Sequence, residues 1–130
     1  SPIFVRLANR ARGYYEGQRI DSVGRLRNVY INNVRVHNAG PTGCSVTGLP
    51  GHPVCNVTLS DITIEHAGGC TEVPAMPEEK AAEYPEATMW GLLPAKGFFI
   101  RHARGVVLDN VVVRTASPDV RQDVVKIDAD

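Results

Sequence analysis

Short runs of alternating apolar and polar residues fill much of the chain, and three of them align without gaps. They span residues 27–36, 55–64 and 104–113. In each, two pairs of apolar residues show the period of two typical of a β-strand, and a single polar residue interrupts them. The first two segments begin 28 residues apart and the last two 49 apart. Repetition near 28 residues, without helical periodicity between the copies, indicates a solenoid.

Asn, Asp and Gly recur at the starts and bends of these strands. The positions are Asn28, Asn33, Asn56, Asp61, Gly105 and Asn110. These residue types tolerate the left-handed backbone conformation that a sharp corner requires. We therefore predict that they form the turns of the repeat and that the Asn side chains stack into hydrogen-bonded ladders.

A further apolar run precedes each aligned segment, and a fourth lies near the end of the chain. These runs are residues 3–7, 44–47, 98–102 and 124–127. Each repeat then carries three short strands, which is the cross-section of a parallel β-helix with strands stacked ~4.8 Å apart. We predict an all-β fold, a parallel β-helix of about three to four coils, that forms a single partial domain over residues 1–130.

Two insertions interrupt the repeat, at about residues 8–25 and 67–97. The second is long and rich in proline. Within it, residues 77–83 begin with proline and acidic residues, a pattern that predicts one or two helical turns. Loops of this length on a regular scaffold commonly form the walls of a binding groove.

Charge and composition narrow the class of partner. Fourteen basic residues balance fourteen acidic ones, and 43% of the residues are hydrophobic. This balance favours neither nucleic acid nor a membrane surface as partner. The one local bias is a group of arginines near the start of the chain: Arg6, Arg10, Arg12, Arg19, Arg25 and Arg27.

The three cysteines, Cys44, Cys55 and Cys70, are too few and too irregularly spaced for a disulfide framework or a zinc site. We interpret them as small core or loop residues, with a single bridge as the alternative. No pair of histidines has metal-ligand spacing with a carboxylate, so we expect no metal and no cofactor. His37 and His66 directly follow the last apolar position of their segments, which favours turn positions.

Several blocks of the chain resemble glycoside hydrolase family 28, the polygalacturonase and rhamnogalacturonase group. The blocks are residues 2–10, 43–53, 85–95 and 97–103, and their order extends over nearly the whole chain. The chain is most similar to the bacterial polysaccharide-utilisation members. The resemblance implies a right-handed β-helix and, for the parent protein, secretion or a periplasmic location. It also implies an acidic plant-cell-wall polysaccharide containing galacturonic acid as the partner.

Members of this family hydrolyse their substrate with inversion. They use an Asn-Thr-Asp block and an Asp-Asp pair, followed by Gly-His-Gly and Arg-x-Lys blocks. One carboxyl protonates the leaving oxygen and another activates water, while the basic block binds the substrate carboxylate. None of these blocks occurs here, so no residue of this chain is assigned as catalytic. In the family's order the acid and base precede the segment that begins at Ser1, and we expect the chain to be inactive alone.

The candidate substrate-binding residues lie on or near the first strand of each coil. Arg6 and Arg101 occupy comparable positions on the sheet that carries the groove in the family. The resemblance implies that Arg6, Asn9 and Arg10 contribute a subsite for an acidic sugar, with Arg101 and His102 nearby. The alternatives are exposed arginines at a strand end and a histidine bonded to backbone between coils.

Trp90 has two interpretations: a stacking platform for a sugar ring or, as we favour, a residue that packs the insertion against the solenoid.

Two functions remain open on the sequence. The first is a C-terminal section of a pectin-type hydrolase that contributes scaffold and subsites. The second is a self-standing β-helix module for carbohydrate binding or assembly. The apolar run at residues 2–5 leaves an open edge, which favours pairing with another chain.

Overall fold

The computed structural model of the chain describes residues 1–9 and 23–130. These residues contain strands and no helix. The six strands are β1 (Phe4–Arg6), β2 (Arg27–Ala39), β3 (Cys44–Thr47), β4 (Val54–Gly68), β5 (Ala95–Ser117) and β6 (Gln122–Ala129). All pairings between them are parallel. The predicted all-β fold with parallel strands is confirmed, and the strands form one curled sheet.

The sheet consists of two stacks that share the long strand β5. The first stack runs β1, β3, the start of β5, and β6. The second stack runs β2, β4 and the remainder of β5. In the second stack Ile31 lies beside Leu59, and Leu59 lies beside Leu108. The register thus pairs the residues that the gap-free alignment of the three segments matches.

Polar corners bend every layer of the second stack at the same places. The six corner positions named from the sequence have φ between 53° and 66°. Asn56 Nδ2 donates to Asn28 Oδ1 at 2.8 Å, and Asn110 Nδ2 donates to Asp61 Oδ1 at 2.8 Å. Because the corners coincide, the strands curl together around a common interior.

The core lies between the two stacks, where the inward-facing apolar rows meet. The row on β4 is completely covered, at 0–1% exposure: Val57, Leu59, Ile62 and Ile64. The equivalent rows on β2 and β5 are only half-buried. The difference follows from position, because β4 has a strand on each side whereas β2 and the second half of β5 have one, within the described part of the chain.

The three cysteines are free, so the alternative of a bridge among them does not hold. Cys44 is buried in the core, where burial raises the pKa of its thiol to about 11. The protonated thiol therefore acts as a small apolar side chain at neutral pH.

The two equivalent leucines test the layered core. Leu59→Ala leaves a cavity in the covered layer and is expected to cost roughly 2–5 kcal/mol of unfolding free energy. Leu108→Ala, at the same register position on a half-buried layer, is expected to cost about 1 kcal/mol. Urea unfolding followed by circular dichroism measures both. Equal losses of unfolding free energy in the two variants would contradict the difference in burial between the two layers.

Candidate functional site

The candidate site lies on the outer face of the first stack, beneath the insertion that joins β4 to β5. This insertion spans residues 69–94, slightly less than predicted. In the described part of the chain, four buried polar side-chain atoms have no hydrogen-bond partner, and three of them are here: Arg6 Nε, Arg101 Nε and Glu79 Oε2. Since a buried unpaired polar atom costs free energy, their concentration makes this region the candidate site.

Two arginines bind three successive backbone carbonyls of the insertion. Arg101 Nη1 donates to Pro77 O at 2.6 Å and its Nη2 to Glu78 O at 3.2 Å. Arg6 Nη2 donates to Glu79 O at 2.6 Å. The guanidinium groups therefore hold the insertion against β1 and β5.

The helical turns predicted over residues 77–83 are wrong, and the arginines provide the reason. A helix needs these carbonyls to accept from amides four residues later, but the guanidinium groups already occupy them. The segment forms a single turn instead, closed by Glu83 N donating to Lys80 O at 3.1 Å. Lys80 has φ of 49°, which is outside the helical region.

Trp90 packs the insertion onto the sheet, in line with the favoured interpretation. Its ring centroid lies 5.0 Å from Arg6 Cζ and 5.8 Å from Arg101 Cζ, within the range of cation–π attraction. The indole Nε1 donates to Glu78 O at 2.8 Å. The ring also contacts Phe4, at 6.5 Å between centroids. An aromatic ring that touches both arginines in this way is a packing element of the site.

Burial lowers the pKa of both arginines. Burial, and then the charge of Arg101, lower the pKa of Arg6, while Glu79 opposes the shift. Burial also lowers the pKa of Arg101, again opposed by Glu79. Both groups remain charged at neutral pH because an arginine begins from so high a value. The carboxylate of Glu79 is thus the nearby anion that partly balances the positive charge of the two arginines.

His102 lies at the centre of a row of alternating basic and acidic side chains. Its Nδ1 is 2.6 Å from Asp128 Oδ2 and its Nε2 is 2.9 Å from Glu79 Oε1. Arg101 Nε lies 3.5 Å from Glu79 Oε1, and Arg104 Nη2 lies 2.5 Å from Asp128 Oδ1. We call Arg101, Glu79, His102, Asp128 and Arg104 the ion chain. Imidazolium, with a proton on each nitrogen, is the form that donates to both carboxylates.

The backbone of β5 is distorted where it presents His102. The residue has φ of 52° and is 9% exposed, and a non-glycine residue in this region signals a local constraint. A side chain at Gly48, directly after the neighbouring strand β3, would collide with the carbonyl oxygen of His102. Hydrogen bonds from His102 and then Arg104 hold the pKa of Asp128 below its ordinary value. The ion chain therefore joins the insertion, β5 and β6.

A second clamp, Asp119 with Arg121, holds the ends of the insertion. Arg121 Nε and Nη2 donate to the two Asp119 oxygens at 2.9 and 2.8 Å, and both side chains are fully buried. Arg121 Nη1 also donates to Leu93 O at 3.1 Å, and Cys70 N donates to Asp119 Oδ2 at 3.4 Å. The hydrogen bond from Arg121 is the main reason that the pKa of Asp119 lies far below its ordinary value.

His66 differs from His102 in its partners, and it is not the turn residue that its position in the sequence indicates. It lies within β4 and is 4% exposed. Its Nδ1 accepts from Gly68 N at 3.0 Å, so its Nε2 carries the proton and donates to Lys96 O at 2.8 Å. A neutral ring satisfies both contacts. His66 therefore bonds only to backbone, whereas His102 bonds to carboxylates.

The structure brings together three of the five predicted substrate-binding residues, Arg6, Arg101 and His102. Asn9 lies beside them, and its backbone N–H donates to Ala81 O at 2.7 Å. Arg10 falls outside the described residues. Arg101 is 3% exposed, so its guanidinium group faces the insertion rather than solvent. Arg6 and Arg101 are thus placed to position the insertion.

Three members of the ion chain, Glu79, Asp128 and Arg104, were not assigned a role from the sequence. Asp128 had a usable signal, because Ala103 pairs with Ala129 and the residues before them, His102 and Asp128, occupy equivalent positions in successive layers. Glu79 had no such signal in the sequence, since it lies in the insertion and no repeat indicates which strand it approaches.

Neither a metal centre nor a membrane span is indicated by the part of the chain that the structure describes. Across residues 1–9 and 23–130, no group of three or more His, Cys, Asp and Glu side chains is arranged to hold a metal ion. The same residues include no helix long and apolar enough to cross a membrane.

Replacing His102 tests whether the ion chain anchors the insertion. His102→Asn keeps a residue type that tolerates positive φ but is too short to reach both carboxylates. Hydrogen exchange of backbone amides in residues 77–83 is expected to accelerate about 10- to 100-fold, since bonds to charged groups contribute about 1.5–3 kcal/mol. The matched control is His66→Asn, which should leave these amides unchanged. Unaltered exchange in His102→Asn would show that the ion chain is not the anchor.

Replacing Asp119 tests the buried clamp and its dependence on pH. Asp119→Asn leaves Arg121 buried without its counter-ion and is expected to lower the unfolding free energy by roughly 3–5 kcal/mol at pH 7. Because the pKa of the folded carboxyl is depressed, this contribution is complete well above the ordinary value of 3.8 and is lost progressively as pH falls from that value to the folded pKa. Urea unfolding between pH 7 and pH 3 measures the difference.

The control is Asp123→Asn, which affects an exposed pair 3.4 Å from Lys96 and should change stability by about 0–1 kcal/mol. A loss for Asp119→Asn that is no larger than this control, or that already declines above pH 5, would contradict the role of the clamp.

Comparison of the chain with protein-family models, with curated proteins and with solved structures found no match. The arrangement of the described residues, together with the resemblance noted in the sequence, is therefore the basis for any function assigned to the chain.

Proposed function

We propose that the chain is a section of a right-handed parallel β-helix from a pectin-degrading hydrolase of the family 28 type. In this proposal it supplies scaffold and one wall of the substrate groove, and the catalytic acid and base belong to other coils. The observation that carries the proposal is the insertion fixed on the outer face of the first stack by Arg6 and Arg101. By the resemblance, this is the face that carries the groove.

The layered sheet supports the β-helix. Successive layers repeat the same strands, the same positive-φ corners and the same inward apolar row. Parallel strands stacked in register and turned by polar corners are what a solenoid with this repeat requires. The half-buried rows on β2 and β5 also support further coils on either side, since each such row gains cover from a neighbouring layer.

The carboxylates of the ion chain do not have the arrangement of an inverting pair. Inversion requires two carboxyl groups about 6.5–9.5 Å apart, with room between them for water and the sugar. The ring of His102 occupies the space between Glu79 and Asp128 by bonding to both. The pKa of Asp128 is lowered, whereas a general acid needs a raised value. Glu79 and Asp128 therefore stabilise the groove wall, and the catalytic acid and base belong to other coils.

The substrate class follows from the resemblance and agrees with the charges on the wall. A polymer of galacturonic acid carries a carboxylate on each sugar, and arginines bind carboxylates well. Such a polymer belongs to the plant cell wall, so the parent protein is proposed to act after secretion or in the periplasm.

Titration of the 130-residue chain with trigalacturonate, followed by amide NMR, tests the proposal. We expect saturable shifts centred on residues 77–90 and 101–104, and no release of reducing ends from polygalacturonate. Arg6→Ala should weaken binding about tenfold, the effect of removing a charge-assisted hydrogen bond that holds the wall.

Arg114→Ala is the matched control, because Arg114 is exposed on the second stack, away from the insertion, and binding should not change. Equal shifts with an uncharged galactan oligosaccharide, or none with trigalacturonate, would refute the groove wall. Cleavage of the polymer by this chain would refute the assignment of acid and base to other coils. An Asp-Asp pair followed by Gly-His-Gly and Arg-x-Lys, encoded in frame before Ser1, would support it.

A further inference from the structure

His102 lies between two carboxylates that belong to different segments of the chain. Its Nδ1 is 2.6 Å from Asp128 Oδ2 on β6, and its Nε2 is 2.9 Å from Glu79 Oε1 in the insertion. The side chain of His102 is 11% exposed, against 40% for Glu79 and 46% for Asp128. One largely buried imidazole thus connects the insertion to the sheet.

The number of protons on this ring determines how many carboxylates it can bind. An imidazolium donates from both nitrogens, whereas a neutral imidazole has one N–H and one lone pair. If the ring of His102 is neutral, one carboxylate oxygen faces that lone pair, and two acceptors at hydrogen-bond distance repel each other. Loss of one proton therefore removes one of the two contacts. Histidine is the side chain that ordinarily changes charge between about pH 5 and 8.

Glu79 is the weaker-held of the two carboxylates. Arg104 holds Asp128 through Nη2 on its Oδ1 at 2.5 Å and through Nη1 on its backbone O at 2.6 Å. Glu79 Oε1 has Arg101 Nε 3.5 Å away, as an ion pair without a hydrogen bond, and Glu79 Oε2 is buried without a hydrogen-bond partner. The single proton of a neutral ring therefore stays on Nδ1, toward the closer and better-held carboxylate of Asp128.

The other charged groups around the ring keep their charges near neutral pH. Arg101 and Arg104 belong to β5 itself, and Arg6 on β1 interacts with Arg101 and Glu79 through its charge. Arginines stay protonated in this range, and carboxyl groups ordinarily lose their protons near pH ~4. The neighbouring strand β3 contributes uncharged residues, Cys-Ser-Val-Thr. His102 is thus the member of the ion chain that changes charge.

We propose that protonation of His102 controls how firmly the insertion is attached to the sheet: the charged ring binds Glu79, and the neutral ring releases it. Residues 77–83 are then firmly anchored at mildly acidic pH, and the anchor weakens as pH rises through neutrality. The sign follows from linkage, because the extra contact exists only in the protonated state and so each favours the other.

Release of Glu79 is a partial loosening of the insertion. Arg6 and Arg101 continue to bind the backbone carbonyls of residues 77–79 at either pH. The inference rests on the ion chain alone and holds whether or not the chain comes from a hydrolase.

The single tryptophan of the chain reports on this attachment. Trp90 Nε1 donates at 2.8 Å to the carbonyl of Glu78, the residue before Glu79. The ring also lies against Arg101, with 5.8 Å between its centroid and Cζ. Release of Glu79 changes the surroundings of the indole and therefore its fluorescence.

The test follows tryptophan fluorescence and backbone hydrogen exchange of the 130-residue chain between about pH 5.5 and 8.5, the range in which histidine titrates. Each exchange rate is divided by that of an unstructured peptide at the same pH. We expect protection of residues 77–83 to fall about tenfold with rising pH, the effect of losing one hydrogen bond to a charged group. Fluorescence should follow a one-proton transition over the same range, while protection of the covered strand β4 stays constant.

Four variants assign the transition. His102→Asn removes the titrating ring and should abolish both changes. Glu79→Gln removes the carboxylate without altering β5, and should also abolish them, so it serves if the first variant fails to fold. Glu83→Gln is the matched control, because this exposed carboxyl of the same insertion lies 3.9 Å from Lys80. Glu83→Gln and His66→Asn should both keep the full transition.

Equal protection of residues 77–83 at both ends of the pH range would overturn the proposal. A transition that persists in His102→Asn or Glu79→Gln, or that disappears in His66→Asn, would overturn it as well. Loss of protection in β4 together with the insertion would show a change in global stability instead of a local release. Since no sugar is present in these measurements, their failure would leave the proposed groove wall untouched.

Discussion

Register between like layers is the constraint on which the rest of the structure depends. Side chains alternate between the two faces of a strand, so a slip of one residue would turn the whole inward row of β4 toward solvent. The corners prevent this, because the bend at Asp61 must lie beside the bends at Asn33 and Asn110 for the layers to nest. The side-chain hydrogen bond from Asn110 to Asp61 further stabilises the alignment of these two bends. Burial of the apolar row and the positive-φ corners therefore select the same alignment.

On the outer face, side-chain hydrogen bonds override the local preference of the backbone for a helix. Residues 77–83 have the composition of a helix start, yet Arg6 and Arg101 bind the carbonyls that a helix would use. A short helical turn is marginal in water, whereas hydrogen bonds from a buried cation are comparatively strong. Since both arginines project from strands whose positions the core determines, the core indirectly determines the shape of the insertion.

This division explains what could be predicted from the sequence. The strands, their parallel pairing and the corner residues could be inferred because each is encoded locally and repeated three times. The grouping of Arg6 with Arg101 followed from their equivalent positions in different layers. Glu79 could not be placed, since its position depends on long-range contacts of an insertion that does not repeat. The helix over residues 77–83 was wrong for the same reason, because its competitor lies more than 20 residues away on β5.

The ion chain extends to the end of β6, next to the point where β5 passes into the second stack. Asp128 bonds to His102 and Arg104, and two residues later Asp130 accepts from the amides of Gly105 and Val106 on β5. Arg104 Nη1 also donates to Asp128 O at 2.6 Å, so the backbone of this segment is held from the same side as its carboxylate. Because Asp128 lies two residues before Asp130, this short segment connects the second stack to His102 and, through Glu79, to the insertion.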